Sequence, residues 1–323
     1  MDVEAISGSQ LIGQDHVNVD GLAIFLWFSQ ESSSSAKSYY DSDDAQKFYS
    51  NIWGTETVHI GRYDLITDSD RKTLSKHKQI SLAQSLHETE FIKHIRSKFG
   101  DQQIRIADFG CGYGGLLRRL YESGVVWSAT GCDISAKMCD QARMLNSDIG
   151  CDHGIISILE ESYLDVSVPS ESADLVISMD ALLHVGPERQ HRAIQEASRI
   201  LRPGGWMIFS DIMEQAVVDP VEMQPIYDRI HLSKLGTVSN YESAMCEAGF
   251  SGFEFIDHSL NVSAHYGSVL EVLVDKGASL GISKTYQEKM ESGLKTWRDL
   301  AVTNIQWGFV LAQKTKKVDC VYY

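Results

Sequence analysis

Apolar and polar positions follow two different rhythms along the centre of this chain. From Gln79 to Phe99 the apolar residues recur close to every third or fourth position, which predicts a helix. Short apolar runs then alternate with further segments of helical period. The predicted strands lie at 104–109, 125–132, 155–159, 173–179 and 206–210, and the helices among them lie at 115–122, at 136–146 and from Pro187 onward. Such alternation predicts an α/β fold with a mostly parallel sheet covered by helices on both faces.

This rhythm breaks after Asp211. The Arg-Pro-Gly-Gly sequence at 202–205 is predicted to end the Pro187 helix before the strand at 206–210. Segments at about 214–240 and 261–300 look helical and inserted, whereas 241–250, 252–256 and a last strand at 307–312 return to the core. Because ligands of such sheets bind at the carboxyl ends of the strands, we expect the two insertions to form a helical lid there.

The two ends of the chain differ from its centre. The first 36 residues close with a run of four serines, Ser32 to Ser35, and are predicted to form a flexible extension. Residues 37–316 are then expected to form one domain, including both lid insertions, and residues 317–323 a carboxyl-terminal tail.

Composition narrows the possible functions. Among 323 residues, 29 Lys and Arg stand against 44 Asp and Glu, for a formal net charge of −15. Nucleic acids bind clustered basic side chains, so we expect no nucleic-acid partner. The six cysteines include no C-x-x-C pair, which predicts reduced thiols in the cytoplasm and no metal site. The most apolar run, residues 21–28, is too short to span a bilayer, so no membrane partner is expected.

The most informative motif is the turn that follows the first predicted strand. Asp108 ends that strand, and Gly110, Cys111 and Gly112 follow it, with another glycine at 114. Glycines at this spacing let the backbone turn tightly and approach a ligand closely. A dinucleotide-binding fingerprint would use the same glycines, but Asp108 stands where such proteins usually continue an apolar strand.

The motif resembles the first motif of class I S-adenosylmethionine-dependent methyltransferases. This resemblance implies S-adenosyl-L-methionine as the cofactor, with Asp108 at its aminoacyl end. It also implies a Rossmann-like class I methyltransferase sheet, mostly parallel, with an antiparallel last strand at its edge. A nicotinamide-dependent oxidoreductase and a catalytically silent module on the same fold are the rival classes.

Further cofactor contacts are expected at the ends of the next strands. Asp133 can accept both ribose hydroxyls, or it can simply cap the helix that follows. The resemblance places Ser162 and Tyr163 near the adenine ring, and Ile134 and Met179 are predicted to line the same ligand.

A more specific resemblance covers about residues 38 to 313. Its motifs look like those of sarcosine/dimethylglycine N-methyltransferases, which make glycine betaine. The segments that carry it are Tyr39 to Asp44, Phe48-Tyr49, Trp53-Gly54, His59 to Tyr63, Asp211 and Met213, Gln224 to Ile230, Leu235-Gly236, His265-Tyr266 and Trp307-Gly308.

The same architecture resembles that of phosphoethanolamine N-methyltransferases, where a tyrosine before the first helix pairs with the histidine of a D-A-x-L-H segment. Carried over, the catalytic pair is His184 with Tyr40, or with Tyr39. An amine attacks only with a free lone pair, and a histidine can take the proton that must leave. His184 can also be a structural histidine at a helix start, and Asp180 can hold the substrate ammonium or cap that helix.

The remaining candidates concern the substrate, which the resemblance implies is a small zwitterion or carboxylate. Arg62 and Arg229 could bind its carboxylate through the planar guanidinium, although either can instead be an ion-pair or surface residue. The aromatic rings that could enclose a methylated cation are those of Tyr40, Trp53, Tyr63 and Tyr266. The other candidate substrate residues are Tyr39, Trp53, Tyr63, Asp211, Met213 and Tyr266.

Two departures from the family pattern affect the substrate. The family usually has W-S-Q-D where this chain has Ile177-Ser178-Met179-Asp180, and N-I where it has Asp133-Ile134. Methionine in place of glutamine makes the donor site less polar, which suits a thioether acceptor. The sequence therefore predicts N-methylation of sarcosine or dimethylglycine, with S-methylation of a methylthio acid such as 4-methylthio-2-hydroxybutyrate, on a route to dimethylsulfoniopropionate, as the alternative.

Overall fold

Within residues 42–54, 57–148 and 154–315, which the computed structural model describes, seven strands form one sheet in the order β3-β2-β1-β4-β5-β7-β6. Strands β1 to β5 are parallel, and β7 runs antiparallel to both β5 and β6. The strands are β1 Ile104–Phe109, β2 Val126–Asp133, β3 Ile156–Glu160, β4 Ala173–Met179, β5 Leu201–Glu214, β6 Phe250–Asp257 and β7 Ile305–Lys314. This is the α/β sheet of class I methyltransferases that the sequence predicts.

The last strand is antiparallel as predicted, but its expected place at the sheet edge is wrong. β7 lies between β5 and β6, and β6 is the edge strand. The burial of the two strands explains this order, because residues 307–312 are buried without interruption, whereas most of β6 is exposed or half-buried. A strand paired on both sides and covered on both faces is apolar throughout.

A second difference concerns residues 202–205, which do not separate a helix from a strand. The preceding helix already ends at Ile200, and β5 begins at Leu201. The pairing of β4 with β5 jumps from Ala173↔Leu201 to Leu175↔Trp206, so the Pro-Gly-Gly sequence forms an irregularity inside the strand. Extra residues of this kind in one strand of a pair make a bulge.

Ten α-helices surround the sheet in the described part of the chain. They are α1 Asp43–Phe48, α2 Asp68–Thr73, α3 Lys76–Phe99, α4 Gly115–Glu122, α5 Ala136–Asp148, α6 Pro187–Ile200, α7 Pro220–Ile230, α8 Val238–Glu247, α9 Leu260–Lys276 and α10 Lys284–Leu300. A π-helical turn, Tyr49–Trp53, extends α1, and 3-10 turns occur at Tyr63–Leu65 and Leu182–Val185. None of these helices is long and apolar enough to cross a membrane.

Two apolar layers cover the faces of the sheet, and a third lies at one end of it. Helices α3, α4 and α5 pack on one face, and α6 and α8 pack on the other. Helices α1, α7, α9 and α10 form a separate layer with the ends of β5 and β7, which we call the cap layer. The first predicted insertion, about 214–240, contains α7 and ends at the start of α8, a helix that packs on the sheet.

The cap layer contains the helices predicted as a lid, and that role stays a prediction. The expected extension at 1–36, the domain boundary at 37 and the tail at 317–323 lie outside the described residues.

Candidate active site

The glycine loop, residues 110–114, joins β1 to α4 at the carboxyl end of the sheet. Gly110 and Gly112 have φ angles of 75° and 52°, which a residue with a side chain rarely adopts. A Cβ atom at Gly110 would lie 2.4 Å from the Cβ of Ala181. The amides of Gly110 and Cys111 donate to the carbonyl of Cys132 at 2.9 and 3.0 Å, so β2 fixes the loop.

Asp108 lies beneath this loop and is almost completely buried. Within the described part of the chain, no group donates a hydrogen bond to its carboxylate. Burial, together with the nearby charge of Asp133, raises the pKa of Asp108 from 3.8 to about 8. A buried carboxylate is unfavourable unless something pairs with it, so this position favours a cationic or hydroxyl-bearing ligand.

Asp133 connects the glycine loop to the start of α5. One of its oxygens accepts from the Gly112 amide at 3.0 Å, and the other accepts from the Ser135 amide at 2.9 Å. The Ser135 hydroxyl accepts from the Met138 amide at 3.3 Å, so Ser135 is the residue that caps α5. The contact of Asp133 with the ribose hydroxyls stays a prediction. Ile134, the next residue, is half-buried.

Tyr163 forms the wall of the same site after β3. Its ring is stacked on Phe109, with centroids 5.7 Å apart and planes at 14°, and its hydroxyl donates to the Ala181 carbonyl at 3.0 Å. The Ser162 hydroxyl accepts from the Leu164 amide at 3.2 Å and thereby shapes the local turn. The structure thus brings the residues predicted at the adenine ring to the glycine loop.

Asp180 follows β4 and holds three parts of the chain together. Its carboxylate accepts from the Ile60 amide, the Ser210 hydroxyl and the Trp307 indole, each at 2.8 Å. Burial raises its pKa against the opposing effect of His59 and of these donors. Asp180 also has a φ of 53°, which is rare for a residue with a side chain. Its predicted contact with a substrate ammonium gains no support from this geometry, because the protein already supplies its donors.

Two predicted site residues flank Asp180. Met179, the last residue of β4, is half-buried, and His184 is half-buried in the 3-10 turn four residues beyond Asp180. Burial lowers the pKa of His184 from 6.5 to about 4, so its imidazole is neutral at physiological pH. The predicted partners of His184, Tyr39 and Tyr40, lie outside the described residues.

Asp211 and Met213, in β5, are both fully buried. The Asp211 carboxylate accepts from the Tyr241 hydroxyl at 2.5 Å and from the Leu183 amide at 3.2 Å. Asp211 therefore holds the turn that carries His184. Met213 packs in the layer between the sheet, α6 and α8. Direct substrate contacts of these two residues stay a prediction.

The two predicted carboxylate-binding arginines already have protein partners. Arg62 is buried and forms a bidentate pair with Asp64, at 2.8 and 2.7 Å, while its third nitrogen lies 3.0 Å from His258 Nε2. Arg229 crosses from α7 to α10, where it donates to the Met290 sulfur at 3.1 Å. Arg62 is therefore an ion-pair member, the alternative that the sequence left open.

Four aromatic side chains meet under the cap layer, and we call them the aromatic box: Trp53, Tyr63, His265 and Tyr266. His265 is central, with its ring centroid 5.0 Å from Trp53, 5.7 Å from Tyr63 and 6.2 Å from Tyr266. Three of the four rings predicted to enclose a methylated cation, those of Trp53, Tyr63 and Tyr266, thus lie together, whereas Tyr40 lies outside the described residues; the role of the group stays a prediction. His265 was missed as a site residue, although the His265-Tyr266 dipeptide was among the motifs of the resemblance.

Comparison with known proteins shows the family. A methyltransferase domain model matches residues 107–209. The sarcosine/dimethylglycine N-methyltransferase of Halorhodospira halochloris is 34% identical over 277 residues, which are 84% of this chain and 92% of that protein. The chain belongs to this family. The dimethylglycine N-methyltransferase of Parasynechococcus marenigrum (strain WH8102) is also 34% identical, over 87% of this chain and 96% of its own.

Solved structures agree with this membership. A candidate sarcosine dimethylglycine methyltransferase from Galdieria sulphuraria superposes with a TM-score of 0.75 at 27% identity, covering 87% of this chain and all of its own. A phosphoethanolamine N-methyltransferase from Haemonchus contortus, with a TM-score of 0.67 and 14% identity, shares the fold; it covers 87% of this chain, which spans 60% of that one. The chain is therefore an S-adenosylmethionine-dependent small-molecule methyltransferase.

S-Adenosyl-L-methionine is the cofactor, and solved chains of this fold bind it or S-adenosylhomocysteine. The residues around the glycine loop fit this family's cofactor. The loop leaves no room for a side chain at Gly110, and Asp108 offers a buried carboxylate that no described residue satisfies. No group of three or more metal-binding side chains occurs among the described residues.

Proposed function

We propose that this methyltransferase transfers methyl groups to the nitrogen of sarcosine and dimethylglycine and so makes glycine betaine, a compatible solute. The two relatives that are 34% identical, a sarcosine/dimethylglycine N-methyltransferase and a dimethylglycine N-methyltransferase, support this substrate class. The observation that carries the proposal is the place of the neutral His184 in the turn after β4, at the same edge of the sheet as the glycine loop after β1, because an amine acceptor needs a proton acceptor on the side of the methyl donor.

The cofactor supplies an activated methyl group on a sulfonium. The protein's own residues bind the cofactor and the methyl acceptor and orient them toward each other. Asp108 pairs with the aminoacyl end of the cofactor, and Asp133 accepts its ribose hydroxyls. Holding donor and acceptor at reacting distance can contribute about 7–11 kcal/mol to catalysis, whereas a general base typically contributes about 10²- to 10⁴-fold.

His184 is the residue that accepts the proton of the substrate ammonium. With a pKa of about 4 it is a much weaker base than an alkylamine, so it does not keep the proton but releases it to solvent water. Asp211 supports this step indirectly, since it holds the Leu183 amide in the same turn.

The test measures S-adenosylhomocysteine formation with glycine, sarcosine, dimethylglycine, phosphoethanolamine and 4-methylthio-2-hydroxybutyrate. We expect turnover of sarcosine or dimethylglycine, reduced about 10²- to 10⁴-fold in His184→Ala. The control is His191→Ala, since His191 lies half-buried on α6, where its ring is 3.6 Å from the Glu247 carboxylate. Turnover of the thioether alone would replace the amine with a sulfur acceptor, and unchanged amine turnover in His184→Ala would make the histidine structural.

A further inference from the structure

The aromatic box contains polar atoms that the protein leaves unsatisfied. In the part of the chain that the structure describes, Trp53 Nε1, Tyr63 Oη and both ring nitrogens of His265 are buried without a hydrogen-bond partner. The Ser268 hydroxyl lies near Tyr63 Oη and opposes the rise of the Tyr63 pKa, but the two groups do not form a hydrogen bond. Nearly all buried polar atoms in folded proteins are satisfied, so a cluster of unsatisfied ones on touching rings indicates a bound ligand.

The kinds of atom in the box define that ligand. An indole N–H can only donate, a phenol can donate, and a neutral imidazole donates from one nitrogen and accepts at the other. His265 is completely buried, and this burial lowers its pKa from 6.5 to about 3, so its ring is neutral. The box therefore offers three donors and no charge. A carboxylate that belongs to a zwitterion suits it, because the molecule as a whole brings no net charge into the buried site.

The box shares an apolar cluster with the turn that carries His184. Trp53 and Tyr266 belong to the same apolar cluster as Leu183, the neighbour of His184. The side-chain amide of Gln84 donates to the carbonyls of Trp53 at 3.2 Å and His59 at 3.0 Å, so it holds Trp53 in place relative to His59.

The two candidate arginines are less suited to this task. Arg62 forms its bidentate pair with Asp64, and this pair lowers the pKa of the Asp64 carboxyl, while Arg229 packs across α10. A planar guanidinium binds one carboxylate at a time in this bidentate way.

We propose that the carboxylate of the methyl acceptor is bound by Trp53 Nε1–H, Tyr63 O–H and His265 N–H in the aromatic box, without an arginine. The inference rests on the function proposed above, because it takes the acceptor to be an N-methylated amino acid. His265 is then a specificity-determining residue: it distinguishes acceptors that carry a carboxylate from amines that do not.

The test uses Trp53→Phe and His265→Phe, which keep an aromatic ring but remove the donors. We expect the KM for dimethylglycine to rise about ten- to a hundred-fold in each, as expected for loss of one hydrogen bond to a charged group. Glycine betaine should bind the enzyme–S-adenosylhomocysteine complex more weakly by a similar factor. His265→Gln, which keeps an N–H donor, should recover most of the loss.

Controls separate this inference from loss of folding and from failure of the proposed function. The affinity for S-adenosylhomocysteine should stay within about threefold of wild type in every variant. Trp206 lies outside the box, with Lys98 over its ring, so Trp206→Phe should leave the KM for dimethylglycine unchanged. Unchanged KM in both box variants, or a large rise in Arg229→Gln alone, would overturn the inference and leave the function standing. Absence of wild-type turnover with sarcosine and dimethylglycine would refute both the carboxylate-binding inference and the proposed function.

Discussion

Asp108 shows how a single buried residue can indicate a ligand-binding position. Its carboxylate is buried, lies near a second acid and has no donor among the described residues. In this state the protonated form predominates at neutral pH, since its pKa is about 8. A positively charged ammonium brought beside it favours the ionised form and pulls the pKa down. Cofactor binding is therefore coupled to release of a proton.

This coupling predicts a pH-dependent affinity. Binding to the ionised carboxylate competes with protonation, so the affinity for S-adenosylhomocysteine should rise with pH by up to about tenfold per unit below pH 8 and level off above it. Calorimetry at pH 6.5, 7.5 and 8.5, in buffers of different ionisation enthalpy, measures both the affinity and the proton released.

Asp108→Asn is the matched variant for this experiment. It should bind S-adenosylhomocysteine weakly and with little dependence on pH over the same range. Equal pH dependence in the variant and in the wild type would assign the proton to another group and remove Asp108 from the cofactor site.

The sequence predicts those site residues whose role depends on near neighbours in the chain. The glycine loop and Asp108 lie within one short motif, and the structure brings them together. Arg62 is different, because one of its partners, His258, is 196 positions away and no local pattern reports it. His265 was missed for a similar reason, since its significance comes from the unsatisfied neighbours that the fold brings to it.

Between elements, Asp180 acts as a junction. It connects the end of β4 to the segment at Ile60, to β5 through Ser210 and to β7 through Trp307. Three hydrogen bonds to one carboxylate keep these elements in register around the site, because each bond to a charged acceptor is stronger than a neutral one.

Replacing Asp180 with asparagine should therefore destabilise the fold. The NH₂ group of the asparagine cannot accept the hydrogen bond that a carboxylate oxygen of Asp180 accepts. Loss of one such bond corresponds to about 1.5–3 kcal/mol in the free energy of unfolding. Urea denaturation measures this loss. Asp174→Asn, at the other end of β4, removes a partly exposed pair with Arg202 and should cost less than about 1 kcal/mol. Equal effects of the two substitutions would refute the role of Asp180 as a junction.

Elements with strong local patterns were also predicted well. The strands at 104–109 and 173–179 and the helix at 115–122 match β1, β4 and α4. The order of the last two strands was wrong, because hydrophobic period shows that a strand is buried but not which neighbours it pairs with. The start of β5 was wrong as well, because a proline and two glycines usually mark a turn, whereas here the register shift accommodates them.

At the scale of the whole molecule, the net charge of −15 predicts how stability responds to salt. Like charges spread over one molecule repel one another in the compact state, and salt screens this repulsion. At pH 7.5 we therefore expect the melting temperature to rise by a few degrees between about 0.02 and 0.3 M NaCl, where the Debye length shrinks below about 10 Å. Differential scanning calorimetry with S-adenosylhomocysteine absent measures the shift.

The control is the same salt series near pH 5.1, the sequence pI, where the net charge approaches zero. The dependence on salt should largely disappear there. A melting temperature that falls with salt at pH 7.5 would instead mean that surface ion pairs, such as that between Lys93 and Glu90, outweigh the general repulsion.

The position of β7 has a consequence for how the protein is made. This strand follows β6 in the chain, yet it supplies the hydrogen bonds that join β6 to the rest of the sheet, and its Trp307 completes the junction at Asp180. A nascent chain that ends before Ile305 therefore exposes the flank of β5, leaves β6 unpaired and lacks the indole donor to Asp180. Until β7 is made, the unfinished sheet has an open strand edge, which is a site for aggregation.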